Sequence, residues 1–341
     1  DGCTVIEGID FSLQPGEIGC LLGPSGCGKT SLLRAIAGFE PIVRGEICLH
    51  GKTVSVPGNC LPTEQRRVGM VFQDFALFPH LSVEKNISFG LKHLTAKQRD
   101  ERVDELLKLV GLTDLKNSYP HELSGGQQQR IALIRAMAPR PEILLMDEPF
   151  SSMDAELREQ LAREVRDILK RDGITAILVT HDQLEAFALA DVIAVLGNGE
   201  LHQCGTGYQI YHNPANRFVA DFIGQGVMLP GKVLDEKRVE TEMGIFKGEL
   251  PEDCHSGQQV EVLLRPDDVV HDDDSDTKLE VIAKAFRGAE YLYTLALPSG
   301  QPILCLVQSH HNHQIGERIG IKLGVDDLAV FPVNENTESA D

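Results

Sequence analysis

The sequence predicts an α/β fold in which a parallel sheet carries a helical insert and is followed by a separate β-rich domain. Three patterns carry this reading. Short apolar runs of branched residues alternate with segments of helical spacing over the first two hundred or so positions, and strands separated by helices imply parallel crossover units. One such run, Ile18 to Leu22, opens into a glycine-rich stretch and then a helical segment. Beyond Gly224, apolar residues recur with period two between glycines and prolines, which suggests a small β-barrel or sandwich.

Each element follows from its local pattern. Ile18 to Leu22 reads as a buried parallel strand. Gly23 to Gly28 reads as a loop, and Lys29 to Ala37 as a helix closed by Gly38, with Pro41 shortly after. A helical subdomain is expected over about residues 74–135, because Leu106, Leu107, Val110 and Leu112 recur at helical spacing and charged residues fill Lys97 to Lys108. A helix is predicted from about Gly125 to Met137, a strand over Ile143 to Met146, a helix over Ala155 to Arg171 and a strand over Thr175 to Val179. A helix near Gln183 to Ala190 and a strand at Val192 to Leu196 follow. The first domain is expected to cover residues 1–224 and the β-rich domain 225–334, with a polar tail at 335–341. Strands of the second domain are predicted at Gln259 to Leu264, Leu279 to Ala283, Tyr291 to Leu297, Ile303 to Val307 and Arg318 to Leu323.

Composition narrows the function. Of 341 residues, 32 are Lys or Arg and 51 Asp or Glu, a net charge of −19. That argues against a nucleic-acid partner and against broad adhesion to anionic lipid, so membrane association is expected to run through a protein. No apolar run approaches the ~20 residues of a membrane span. The eight cysteines (Cys3, Cys20, Cys27, Cys48, Cys60, Cys204, Cys254, Cys305) form no CxxC pair and read as reduced thiols of a cytosolic protein. The chain opens at Asp1 without methionine or a signal-peptide pattern, so a truncated start is expected.

Chemistry concentrates in short motifs. In Gly23-Pro24-Ser25-Gly26-Cys27-Gly28-Lys29-Thr30 the glycines let backbone amides approach phosphate oxygens at a helix N-terminus. Lys29 supplies a point charge for the β- and γ-phosphates of ATP, Thr30 a hydroxyl for Mg²⁺, and Ser31 reaches a further phosphate; Cys27 fills a variable position. Asp147 closes an apolar strand and suits Mg²⁺, directly or through water. Glu148 follows, expected to point the opposite way by strand alternation, and can polarise an attacking water. Ser124, Gly125 and Gly126, with Gln127, precede a helix and form a second anion-binding terminus.

The ordered set GPSGCGKT, VFQDF, LSGGQ, ILLMDEP and THD resembles the nucleotide-binding subunit of an ATP-binding-cassette transporter, along essentially the whole chain. The resemblance implies a P-loop NTPase cassette with a helical subdomain, followed by a TOBE-like, OB-like regulatory domain. It implies that Gln73 senses γ-phosphate and Mg²⁺, that His181 holds base and water in line, and that Ser152, Met153 and Asp154 communicate between subunits. Two copies are implied to pair head to tail, each LSGGQ segment (Leu123 to Gln127) covering ATP held by its partner's loop. The implied partners are inner-membrane permease subunits and, indirectly, a periplasmic substrate-binding protein, with the chain on the cytoplasmic face. The run Phe75 to His80 is expected to line the groove that takes a permease helix. The aromatic that stacks on adenine would fall at or just before Asp1, so base recognition is unassigned.

Three segments, DFIGQGVMLPG, LLRPDDVVHDDDS and KAFRGAEYLYTLALPSG, resemble ferric-iron importer ATPases more narrowly; sugar, polyamine, thiosulfate and thiamine importers are the competing cargoes. A DNA-maintenance clamp is disfavoured because no long coiled coil separates Gly28 from Leu123, and a translation-factor ATPase because a second LSGGQ is absent. His271-Asp272-Asp273-Asp274 and His310-His311-Asn312-His313 contain metal-ligand types but read as solvated loops, each without a partner at helix or strand spacing.

Overall fold

Five consecutive apolar residues form β1 (Ile18–Leu22), and all five are buried, as a strand covered on both faces requires. The computed structural model describes residues 5–333 other than Ser152, Asp154, Glu252 and Asp326, and not the side chains of residues 155–157. The expectations for Asp1, Cys3, Ser152, Asp154 and the tail lie outside the described residues. The chain forms two units, Asp1–Gly207 and Tyr208–Asp341.

In the first unit β1 feeds α1 (Lys29–Ala37), which ends on Gly38 in the left-handed region. A small antiparallel sheet follows: β2 (Ile47–Leu49), β3 (Lys52–Val56) and β4 (Asn59–Cys60). Buried Arg66 joins it to α1, donating to the Ala35 and Ile36 carbonyls (3.0 and 2.9 Å) and to Ser55 Oγ (2.7 Å); a cation there also suits the negative end of the helix dipole. After β5 (Val68–Val71) come the helices of the insert, α2 (Val83–Ser88), α3 (Ala96–Leu109) and α4 (Gly125–Met137). Ser82, Thr95 and Ser124 cap them in turn, each accepting a backbone N–H three residues on.

The remaining elements are β6 (Ile143–Asp147), α5 (Ala155–Asp172), β7 (Thr175–Thr180), α6 (Gln183–Leu189), β8 (Val192–Gly197) and β9 (Glu200–Gly205). The main sheet has the order β5-β6-β7-β1-β8-β9. Its first five strands are parallel and β9 runs antiparallel to β8. Leu22 pairs with Thr180 and Asp147 with Val179. The carboxyl ends of β1, β6 and β7 therefore finish side by side, where open parallel sheets place ligands. Leu21, Leu33, Leu145, Ile177, Val179 and Leu196 pack the core beneath that edge.

The second unit starts ahead of the composition change at Gly224. Helices α7 (Gly207–His212) and α8 (Arg217–Phe222) lead into it, and Ala220 packs with Leu263, Ala329 and Phe331. Arg265 donates to the Tyr211 carbonyl (3.2 Å) and lies 4.6 Å from the Tyr211 ring centroid. Two antiparallel five-stranded sheets follow. The first, ordered β12-β11-β10-β13-β19, contains β10 (Val227–Asp235), β11 (Arg238–Thr241), β12 (Gly244–Lys247), β13 (Gln259–Leu264) and β19 (Val330–Pro332). The second, ordered β14-β18-β15-β16-β17, contains β14 (Val269–His271), β15 (Lys278–Phe286), β16 (Glu290–Ala296), β17 (Pro302–Gln308) and β18 (Arg318–Leu323). Its outer strands approach each other, Leu306 N–H donating to Pro266 O at 3.1 Å and Cys305 Sγ to Val269 O at 3.0 Å, so the sheet is nearly closed, as an OB-like barrel is. Leu229, Val262, Val281, Tyr293, Ile303 and Ile319 share one core between the two sheets. Among the described residues no helix is long and apolar enough to cross a membrane.

Candidate functional site

The loop after β1 is shaped by backbone freedom. Gly28 has φ 101°, and a Cβ at Gly23 would lie 2.2 Å from the Leu196 carbonyl oxygen; neither place admits another residue without rearrangement. Pro24, Ser25 and Gly26 are exposed, while Cys27 is buried and Ser31 half-buried in the first turn of α1. Lys29 is only 5% exposed. Its ammonium donates to the carbonyls of Gly23 and Pro24, each at 2.8 Å, and Cys27 Sγ lies at 3.9 Å. Two of its three protons are thus held by carbonyls, and the third has only a distant sulfur, a weak acceptor.

Thr30 Oγ1 donates to Asp147 Oδ1 at 3.0 Å. Asp147 is 9% exposed. Burial pushes its carboxyl up; the Thr30 bond pulls it down, and the neighbouring Glu148 charge pushes it up again. A hard divalent cation would relieve that strain on the charged form, and the oxygen donors Thr30 and Asp147 suit Mg²⁺. Gln73 lies two residues beyond β5, exposed at the same edge of the sheet.

Glu148 corrects the alternation argument. It follows β6 in the left-handed region, φ 43°, with its N–H on Val179 O at 3.0 Å. A turn, not the pleat, sets its direction. Its Oε1 lies 3.4 Å from His181 Nδ1, at the end of β7. A carboxylate and an imidazole in contact beside a phosphate cradle can take a proton from water.

Ser124 and Gly125 are exposed at the start of α4. Ser124 Oγ accepts the Gln127 N–H (3.3 Å) and Gln127 Oε1 accepts the Ser124 N–H (2.9 Å), a reciprocal cap. Among the described residues no hydrogen bond joins this segment to Gly23–Thr30. The expected permease-facing run divides: Phe75 is buried, whereas Ala76, Pro79 and His80 are exposed and the Phe78 ring packs, tilted, against half-exposed Phe89 with centroids 4.5 Å apart.

Two arginines that the motifs did not mark hold these pieces. Arg135 of α4 donates to the carbonyls of Ala76 (2.6 Å) and Phe75 (3.0 Å). Both residues are in the left-handed region, with φ 46° and 60°. From the same helix Gln129 Nε2 donates to Pro149 O, next to Glu148. Arg158 of α5 reaches Asp182 Oδ2 (2.6 Å) and Met153 O (2.8 Å). Asp182 in turn caps α6 through the Leu184 and Glu185 amides, directly after His181. Long polar side chains on helices read as solvated faces, so only the fold exposes these roles.

Comparison with known proteins is consistent with this geometry. The family model described as ABC transporter matches residues 6–151, and that described as TOBE domain matches residues 262–331. The Fe(3+) ions import ATP-binding protein FbpC 2 of Rhizobium meliloti (strain 1021) is 47% identical over 270 residues, covering 78% of this chain and 66% of that protein. The chain thus spans just under two thirds of that relative's length. A dimeric, post-hydrolysis structure of the ATP-binding cassette MJ0796 bound to ADP and Pi is 30% identical, with TM-score 0.53 over 59% of this chain and 90% of that one. The structure of cbiO1 from Clostridium perfringens, described as part of the ABC transporter complex cbiONQ, is 28% identical, with TM-score 0.57 over 62% of this chain and 85% of that one.

Proposed function

Because the chain belongs to the ATP-binding-cassette family, we propose that it is the ATP-hydrolysing subunit of an importer. In this reading residues 1–224 carry the ATPase and 225–334 a regulatory domain. The observation that carries it is the meeting of the Gly23–Thr30 cradle, Asp147, Glu148 and His181 at the ends of adjacent parallel strands, while Ser124 and Gly125 stand exposed elsewhere.

Backbone amides of Gly23 to Thr30 take the phosphates, with Lys29 on the β- and γ-groups and Ser31 in reserve. Thr30, Asp147 and Gln73 are the ligands offered to Mg²⁺, which when bound neutralises charge on the phosphate oxygens. Glu148 takes a proton from water as the water oxygen bonds to the γ-phosphorus and the bond to the bridging oxygen breaks, leaving ADP and phosphate. His181 orients Glu148 and that water. Ser124, Gly125, Gly126 and Gln127 cap the phosphate of a second copy, so two ATP molecules lie between two chains. Closure then reflects ATP's greater affinity for the closed pair.

The described structure of MJ0796 is dimeric and cbiO1 is described as part of an ABC transporter complex, which supports paired subunits on a membrane permease. The iron-import relative supports ferric iron as cargo, with the chain on the cytoplasmic face of the inner membrane and a periplasmic binding protein delivering substrate. The exposed residues of Phe75 to His80, beside Gln73, are the surface offered to the permease helix.

Mixing two inactive variants tests the shared pocket. Lys29→Ala and Ser124→Arg chains each lose turnover alone. Mixed one to one, they regain activity, because about a quarter of the pockets combine the intact loop of one chain with the intact cap of the other. Absence of recovery, or full activity of the Ser124→Arg chain alone, would refute the shared pocket. Uptake of radiolabelled ferric iron by cells relying on this chain tests the cargo; uptake unchanged by Glu148→Gln would remove it.

A further inference from the structure

Two histidine-containing segments that lie far apart in the chain meet at one end of the second β-sheet. His271 closes β14, beside β18, and His311 and His313 lie in the connection from β17 to β18. One ligand nitrogen from each of the three lies within 4.8 Å of the others. The His271 ring centroid is 4.8 Å from that of His311 and 4.9 Å from that of His313. We propose that His271, His311 and His313 form a binding site for one divalent transition-metal ion of the zinc class, independent of the nucleotide pocket.

Unsatisfied nitrogens carry the argument. Nε2 of His271 and Nε2 of His313 are both buried without a hydrogen-bond partner. The His271 side chain is only 8% exposed. Asp273 Oδ1 is 3.2 Å from its Nε2 but outside hydrogen-bonding geometry. A buried polar atom left unpaired is costly, and two on neighbouring rings of one cluster call for a shared partner. A cation that accepts both lone pairs is such a partner.

The surroundings prepare the imidazoles for it. His313 Nδ1 lies 2.9 Å from Glu317 Oε1, while Glu317 Oε2 accepts the Gln314 N–H at 2.7 Å. A carboxylate on Nδ1 orients the ring and leaves Nε2 as the ligand, the arrangement metal-bound histidines use. Buried Tyr293 fixes the segment at both ends: its hydroxyl donates to His311 O and accepts the His313 N–H, each at 2.9 Å. Lys284 adds bonds to His313 O (2.8 Å) and Asn312 Oδ1 (3.0 Å). Six such contacts are more than a solvated loop requires.

Chemistry selects the ion. Metal–nitrogen bonds of ~2.0–2.1 Å in a tetrahedral site put ligand nitrogens ~3.4 Å apart, so the widest separation of 4.8 Å closes by ~1.4 Å. Rotation of half-buried His311, on its loop, covers that distance. Asp273, 74% exposed, or a water completes the fourth position. Three imidazoles without a thiolate suit Zn²⁺, Ni²⁺ or Fe²⁺ and not Mg²⁺ or Ca²⁺.

Titration of the tag-free, reduced, metal-stripped full chain with Zn²⁺ in excess Mg²⁺ tests the site. One ion per chain is expected. His271→Ala and His313→Ala abolish binding, His310→Gln leaves it unchanged, and Glu317→Gln, which only loses the orienting carboxylate, weakens it ~10–100-fold. Should His271→Ala fail to fold, His313→Gln and Glu317→Gln, both in the loop, decide the matter. Co²⁺ in place of Zn²⁺ should show ligand-field bands without thiolate charge transfer. No binding, thiolate bands, equal affinity for Ca²⁺, or binding that survives the histidine substitutions would each overturn the proposal.

Discussion

Replacing Arg135 by Met tests whether α4 holds the segment after Gln73. Methionine keeps the apolar stem and removes both bonds to the Phe75 and Ala76 carbonyls. Those residues sit in the left-handed region, which costs ~1–2 kcal/mol each for a residue with a Cβ. A bond from a charged donor contributes ~1.5–3 kcal/mol; Arg135 is half-buried, so the pair together is worth about 2 kcal/mol after solvent screening. The backbone cost favours opening in both chains, so only the lost bonds change the balance. Local opening of residues 73–78 should therefore become easier by about 2 kcal/mol, or ~30-fold in amide hydrogen exchange. The Phe75 and Ala76 amides report it directly, being bonded to Phe72 O and Asp74 O. ATP turnover should fall in parallel, because Gln73 rides on this segment. Ala76→Gly, which accepts a positive φ without a Cβ penalty, should restore ~5-fold of the protection in the Arg135→Met background, about 1 kcal/mol. Unchanged exchange over 73–78 in Arg135→Met would refute the clamp.

Two further outcomes follow from the same geometry. Glu148→Gln keeps the shape of the side chain and loses the proton acceptor, so the variant should bind ATP, remain dimeric and hydrolyse ~10²–10⁴-fold more slowly; sizing with ATP and single-turnover hydrolysis measure this, and normal turnover would remove Glu148 as base. In the β-rich unit, burial foremost pushes the Asp268 carboxyl from 3.8 up to about 6, against the Arg265 N–H it accepts. The folded state then holds this proton more tightly than the unfolded chain. Its contribution is present below the unfolded value and is lost as pH rises through about 6. Asp268→Asn should accordingly gain about 1–2 kcal/mol at pH 7 and little at pH 4, read from thermal unfolding of the full chain across that range. Parallel pH profiles for the two proteins would defeat this reading.

Legibility followed burial. The strands Ile18–Leu22, Ile143–Asp147 and Thr175–Thr180 are buried throughout, so continuous apolar runs announce them, and Thr30 lies by Asp147 and Glu148 by His181 at their ends. The small sheet of β2, β3 and β4 carries no such continuous run: its strands are short and only partly buried. Glu148 escaped the pleat rule because a left-handed turn begins there. The apolar run Phe75 to His80 reads as one groove-lining segment, yet the fold buries Phe75 and exposes Ala76, Pro79 and His80. The histidine cluster was hidden for another reason. Each segment alone looks like a polar loop, and they meet only through pairing of three-residue β14 with β18, a strand too short to show periodicity.

Helix α4 has 13 residues, so at 1.5 Å per residue it is a rod ~20 Å long. Its amino end is the open Ser124 cap; Gln129 and Arg135, further along, grip Pro149 and the Phe75–Ala76 carbonyls. A stiff lever held at two points cannot be displaced at its free end without loading both. Any body that presses on the cap thereby pulls on the turn that aims Glu148 and on the strap bearing Gln73, in one movement and without a relay of side-chain flips.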